Sequence, residues 1–174
     1  HDHDMEYLHG SEKSYTGHHE YTHSHEYPHE HRGMKEITEI IQKSEMTARA
    51  KKMAMRVFGI LAQAESKAHG VPVEEVHFHE VGAVDSIVDI AAIAICMDNL
   101  DISNVIVPVL YEGTGFIRCQ HGQIPVPVPA VTHIAETHKL KLKITDIQGE
   151  LVTPTGAAVV AAFRTSDRLP EDFT

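Results

Sequence analysis

Histidine is concentrated at one end of this chain. Nine of its 15 histidines lie within residues 1–31, where acidic side chains and tyrosines are interleaved with them. Neutral imidazole is a good ligand for nickel, zinc, copper and cobalt, and carboxylates add oxygen ligands. The candidate metal ligands here are His1, His3, His23, His25, His29 and His31. The pattern predicts transition-metal binding. An expression tag or a low-complexity stretch without a function are the alternatives.

A second cluster of ionisable residues spans residues 77–86, His-Phe-His-Glu-Val-Gly-Ala-Val-Asp-Ser. On a strand, His77 and His79 share one face about 7 Å apart, so they could hold a metal or a substrate. Gly82 then breaks the strand, and Asp85 follows at the start of a helix. The alternative is that both histidines are surface residues and that Asp85 caps the helix.

Two further motifs could position a ligand. His121 precedes a proline-rich stretch that fixes the backbone, which would hold an imidazole still or would simply connect two elements. Thr153 is suited to cap a helix whose first residue is Pro154, and we expect Gly156 to leave backbone N–H groups open. Such a helix start is suited to a phosphate-sized anion, although a well-capped helix explains the same residues.

The rest of the sequence supplies elements to position these groups. Apolar spacing predicts a first helix after Met34 that contains Ile37, Ile40 and Ile41, and a longer helix from an N-cap at Ser44 to about Gly70. It also predicts helices over 84–100, over 130–138 and after Thr153. We expect strands over 76–81, 105–110, 116–119 and 140–144, a loop over 112–115, and a helix 84–100 that is buried all round with Cys96 in the core. The alternation indicates an α/β class, with α+β as the alternative, in which a two-layer sheet packs with helices. We divide the chain into a flexible His-rich segment, 1–33, and a core domain, 34–174.

The composition disfavours two classes of partner, nucleic acids and membranes. The chain has 174 residues, 25 acidic and 15 basic side chains, and a formal net charge of −10. A nucleic-acid partner is disfavoured because phosphate binding needs surplus Lys and Arg. We expect no membrane association, since no run of about 18 apolar residues is present. Two cysteines and no recognisable leader favour the cytoplasm.

The motifs, in this order, resemble the LarC nickel-insertion family. The resemblance is carried by residues 76–90 (Val-His-Phe-His-Glu-Val-Gly-Ala-Val-Asp-Ser-Ile-Val-Asp-Ile), by His121-Gly122 with Pro125–Pro129, and by residues 149–158 (Gly-Glu-Leu-Val-Thr-Pro-Thr-Gly-Ala-Ala). It covers essentially the whole chain. The acidic, Gly-rich start of the family and its C-terminal domain are not recognised, so we expect a fragment.

The resemblance implies nickel insertion into a pyridinium-3,5-bisthiocarboxylic acid mononucleotide, which yields the nickel-pincer cofactor of lactate racemase. It implies a cyclometallase of the lyase class that, when full-length, is homo-oligomeric and depends on CTP with Mn²⁺ or Mg²⁺. For this fragment alone, absence of activity is the alternative. The base that takes the ring proton would be Glu80, Asp85 or a histidine such as His79. The nucleotide would be held by Ser86, His121, Thr153, Thr155 and Gly156. A nickel-storage or metallochaperone module without catalysis is the alternative.

Overall fold

The structure is a computed structural model that describes residues 32–78, 84–119 and 122–172. It contains five α-helices in the described part: α1 (Met34–Lys43), α2 (Ala48–His69), α3 (Val84–Asn99), α4 (Pro129–His138) and α5 (Pro154–Phe163). Its strands are β1 (Arg32–Gly33), β2 (His77–Phe78), β3 (Leu110–Thr114), β4 (Phe116–Cys119), β5 (Gly122–Pro125) and β6 (Leu142–Gln148). This confirms the predicted mixture of helices and strands.

The long helix α2 begins and ends at conventional caps. The Thr47 side chain accepts a hydrogen bond from the backbone N–H of Ala50 at 3.0 Å, and Gly70 closes the helix in the left-handed conformation with φ +68°. The predicted N-cap at Ser44 is wrong, because Ser44 instead ends α1 with its backbone N–H bonded to Ile40 and Ile41 carbonyls. The predicted end at Gly70 is confirmed.

Helix α3 lies antiparallel to α2. Asp98, near the C-terminal end of α3, accepts a hydrogen bond from the Thr47 hydroxyl and pairs with Arg49 at 3.4 Å. Both of these residues lie at the N-terminal start of α2. The inner face of α3 buries Ile87, Ile90 and Ala94. The prediction that this helix is buried all round is wrong, and Cys96 is exposed rather than in the core. The exposed apolar side chains on α3 are Val84, Val88 and Ile95.

The strands form three two-stranded sheets within the described residues. β1 pairs antiparallel with β2, β4 pairs antiparallel with β5, and β3 pairs parallel with β6. The predicted strand over 105–110 is wrong for residues 105–109, which contribute an isolated bridge from Ile106 to Ser166, whereas Leu110 begins β3. The predicted turn or loop over 112–115 is wrong for residues 112–114, which belong to β3, whereas Gly115 follows the strand with φ +95°. Gly113 and Gly115 suggested a turn, and the chain uses them for close packing instead.

Helix α2 is the centre of the core. It contacts α1, α3, α4 and α5, and its buried side chains include Val57, Phe58 and Leu61. The apolar residues of the other helices complete one continuous cluster around it. Among the described residues, no helix is both long and apolar enough to cross a bilayer.

Candidate functional site

Two helices begin at the carboxyl ends of the parallel strands β3 and β6. The Val126 N–H donates to the Gly115 carbonyl at 3.0 Å, which ties the approach to α4 to the residue directly after β3. Helix α5 starts six residues after β6 ends, and at its far end Arg164 donates to the His138 carbonyl at 3.0 Å. Both helices therefore run antiparallel to the strands. In open α/β sheets, ligands bind at this end of the strands.

The start of α5 has the cap that its sequence predicts. Thr153 is the N-cap, Pro154 follows in the first turn, and the Gly156 N–H donates to Thr153 Oγ1 at 3.1 Å. The Gly156 N–H is therefore used by the cap, whereas we expected it to be open. Thr155 is half-buried beside it. Any anion held here would rely on the hydroxyl groups, on the helix dipole and on the remaining amide.

A buried carboxylate supports the loop that leads into α5. Glu112 on β3 is 0% exposed. Its Oε1 accepts backbone hydrogen bonds from Gly113 at 2.7 Å, Leu151 at 2.8 Å and Val152 at 3.2 Å, while Oε2 is buried and has no partner. A side chain of β3 thus fixes the loop after β6. Sequence reasoning missed this residue because it placed Glu112 in a loop.

The glycines beside Glu112 allow the backbone segments to approach closely. A Cβ on Gly113 would overlap the Gly149 carbonyl oxygen. Gly115 has φ +95°, in the region that favours glycine, and a Cβ there would overlap the Gln148 side chain. The register of β3 against β6 shifts between Glu112 and Thr114 at this place. The Gly-x-Gly spacing therefore serves the packing of β3 against the end of β6.

The start of α3 carries two of the predicted site residues. Asp85 is exposed, and its Oδ1 accepts a hydrogen bond from the Ser86 N–H at 3.0 Å. Helix α3 packs against α5 as well as α2. Asp85 therefore bonds locally within the first turn of the helix and leaves a carboxylate exposed to solvent.

The short pair of β1 and β2 connects the two histidine-bearing segments. Gly33 pairs with His77, and Arg32 pairs with Phe78, whose ring packs edge-on against Phe58 of α2 at 6.5 Å between centroids. In the sequence, the His-rich residues 1–31 directly precede Arg32 of β1, and residue 79 directly follows Phe78 of β2. The residues to which these two segments are joined, Arg32 and Phe78, therefore pair with each other, and the Phe78 side chain is buried.

A groove between α2 and α4 was not predicted from the sequence. It has a volume of about 320 Å³ and is lined by Ile60, Ala64, Lys67, His133 and His138, among others. Burial lowers the pKa of His138 below its usual value, and the charges of Arg56 and Arg164 lower it further. No sequence pattern indicates the groove, since its lining residues lie on ordinary faces of α2 and α4.

The family of this chain follows from the protein-family profile that it matches. The sequence profile of nickel insertion proteins matches residues 4–173. The chain belongs to this family.

Relatives within the family are longer. A protein from Alkaliphilus metalliredigens is 56% identical over 142 residues, which are 82% of this chain and 34% of the relative. A protein from Acetivibrio thermocellus is 41% identical over 146 residues, which are 84% of this chain and 34% of the relative. Both are named pyridinium-3,5-bisthiocarboxylic acid mononucleotide nickel insertion protein. The chain spans about a third of their length, and no solved structure matches it.

The predicted metal ligands of this nickel insertion family member lie mostly outside the described residues. The predicted metal ligands outside the described residues are His1, His3, His23, His25, His29, His31, His79 and the side chain of His77. The predicted base Glu80 and the predicted nucleotide contact His121 also lie outside. Within the described ranges, no group of three or more His, Cys, Asp or Glu side chains could hold a metal ion. The structure brings Thr153, Thr155 and Gly156 together at one helix start and places Asp85 and Ser86 at another. Their roles stay predictions.

Proposed function

We propose that this chain is the nickel-binding and substrate-binding part of a protein that inserts nickel into pyridinium-3,5-bisthiocarboxylic acid mononucleotide. The observation that carries the proposal is the family match over residues 4–173, together with relatives named for this reaction. Because the chain spans about a third of those relatives, the complete reaction is proposed for the longer polypeptide. The proposed class is a nickel-inserting lyase.

Nickel is the cargo in this proposal, and histidines collect it. The proposed ligands are the histidines of residues 1–31 together with His77 and His79. Residues 1–31 directly precede β1, His77 lies in β2, and His79 directly follows β2, which pairs with β1. This pairing supports the proposal because it anchors both histidine-bearing segments at neighbouring positions. The described residues contain no group of three or more metal-ligating side chains, so the nickel ligands are proposed among residues outside the described ranges. CTP with Mn²⁺ or Mg²⁺, and homo-oligomerisation, are proposed for the longer relatives alone.

The mononucleotide is held, in this proposal, at the carboxyl ends of β3 and β6. Thr153 and Thr155 at the start of α5 would receive its phosphate, where the helix dipole favours negative charge. Ser86 and His121 would complete the pocket. A carbon–metal bond on the ring requires loss of a ring proton, and Glu80, Asp85 or His79 is the proposed base.

A storage or metallochaperone module without catalysis is the second candidate. It is favoured by the concentration of nine histidines in residues 1–31, which can bind nickel without taking part in any reaction. The two candidates differ in whether residues 32–174 bind the nucleotide.

Calorimetric titration tests both. Ni²⁺ is titrated into the whole chain and into a chain without residues 1–31, and nicotinic acid mononucleotide, a pyridinium mononucleotide with one carboxylate, is titrated into both. We expect loss of most nickel sites on deletion and unchanged nucleotide binding. Full nickel binding without residues 1–31 would contradict the assigned ligands, and absence of nucleotide binding to either chain would leave the storage function.

A variant pair tests the phosphate position. Thr155→Val should weaken binding of the mononucleotide by about tenfold, because a hydroxyl donor to the phosphate is lost. Thr165→Val, a threonine beyond the far end of α5, is the control. Equal affinities for the two variants would remove the α5 start from the site.

A further inference from the structure

The parallel pair β3–β6 has the features of an incomplete sheet. Within the described ranges the two strands pair with one another and with no third strand. Parallel sheets are normally covered on both faces, and sheets most often have four to six strands. A parallel pair of five and seven residues is therefore too small to account for its own stability.

Strand β6 packs against the core through Leu142 at its start, and the rest of the strand is largely exposed to solvent. Alternate side chains of a strand point to opposite faces, yet from Lys143 to Gln148 every side chain is exposed except the half-buried Thr145. The apolar members are Ile144, which is 52% exposed, and Ile147, which is 55% exposed. On the neighbouring strand Tyr111 is 54% exposed, with the Lys143 ammonium 5.3 Å from its ring centroid. A strand that leaves two isoleucine side chains more than half exposed is suited to a covered position.

We propose that the free edge and faces of β6 are covered by polypeptide from the two thirds of the family's length that lies outside the matched region. The occupant adds at least one strand along the edge of β6 that faces away from β3, and it buries Ile144 and Ile147. The length of the relatives supports this choice, since the match covers 34% of the Alkaliphilus metalliredigens protein. The proposal does not depend on nickel or on the nucleotide.

A chimera provides the test. This chain replaces the corresponding segment of the Alkaliphilus metalliredigens relative, and the double variant Ile144→Lys/Ile147→Lys is made in the chimera and in the chain alone. In the chain alone the variant should leave the melting temperature unchanged, because both side chains are already exposed. In the chimera it should lower the melting temperature by roughly 5 °C or more, because two charges are then buried without partners.

The matched control is Leu169→Lys, which changes an apolar side chain that is 59% exposed and lies outside the sheet. It should be neutral in both proteins. Hydrogen exchange gives a second measurement that also applies to the natural relative: amides of the strand equivalent to β6 should exchange at least about tenfold more slowly there than in this chain, with α2 as the internal reference.

Three outcomes would overturn the proposal. One is a double variant that is as neutral in the chimera as in the chain alone. Another is equal exchange of β6 in this chain and in the relative. The third is concentration-dependent dimerisation of this chain that the double variant abolishes, since a second copy would then be the occupant.

Discussion

Glu112 shows how a single side chain can fix two strands and a loop. Its Oε1 accepts three backbone hydrogen bonds from β3 and from the loop before α5, in surroundings without solvent. A buried N–H group that loses its acceptor costs about 1–3 kcal/mol. The carboxylate therefore stabilises the geometry at the carboxyl ends of β3 and β6, where the nucleotide is proposed to bind.

Two replacements of Glu112 test whether its backbone hydrogen bonds stabilise the fold. Glu112→Ala should lower the free energy of unfolding by about 3–5 kcal/mol, because three buried N–H groups lose their acceptor. Glu112→Gln keeps a carbonyl oxygen and should cost less than Glu112→Ala. Urea denaturation measures both, with Glu171→Ala as the control at an exposed position. Equal losses for the Ala and Gln variants would show that the hydrogen bonds are not the stabilising interaction.

His138 should make stability depend on pH. Its pKa is lowered in the folded protein by burial and by Arg56 and Arg164, so the unfolded chain binds a proton more readily. The contribution is present above the unfolded pKa of about 6.5 and is lost as pH falls through the folded pKa. The free energy of unfolding should therefore fall more between pH 7.5 and 5.5 for the wild type than for His138→Gln. The same pH dependence in both proteins would contradict this.

At the scale of elements, close backbone packing decides where glycine is required. Gly113 of β3 faces the Gly149 carbonyl with no room for a Cβ, whereas Gly59 in α2 has nothing within 4 Å of a Cβ. One glycine is thus essential for the sheet, and the other weakens a helix. The sequence alone could not distinguish them, because the contact at Gly113 joins residues 36 positions apart.

The two glycines form a matched pair of variants. Gly113→Ala should lower the free energy of unfolding by about 2–4 kcal/mol, since β3 must move away from the loop after β6. Gly59→Ala should raise it by about 0.5–1 kcal/mol through its higher helix propensity. Thermal or urea unfolding reports both signs. A neutral Gly113→Ala would mean that the close approach is absent in solution.

At the scale of the whole molecule, the helices around α2 form the core, and the His-rich stretch lies outside the described residues. The core cluster begins at Ile37 and draws on all five helices. Arg32 and Gly33 belong to β1, which pairs with β2. The division at residue 33 stays a prediction, and Arg32 and Gly33, on its N-terminal side, pair with Phe78 and His77.

Two truncations test where the independent body begins. A chain that starts at Arg32 should keep the unfolding free energy of the whole chain to within about 0.5 kcal/mol, because it retains β1 and the core. A chain that starts at Met34 loses the partner of β2 and should be less stable by about 1 kcal/mol. Urea denaturation distinguishes them. Equal stability of the two truncations would show that the β1–β2 pair contributes nothing.

The sequence by itself determined that the helices are present, the Thr153 cap and the family, whereas the histidine ligands for nickel stay a prediction. Such features depend on residues within a few positions of one another, where apolar spacing and capping chemistry act directly. Tertiary structure decided which face of α3 is open, that residues 112–114 form a strand, and that Glu112 is buried. These depend on contacts between distant segments, since β3 is held by a loop some 40 residues later. Burial and hydrogen bonding across the core, rather than local preference, set their conformation.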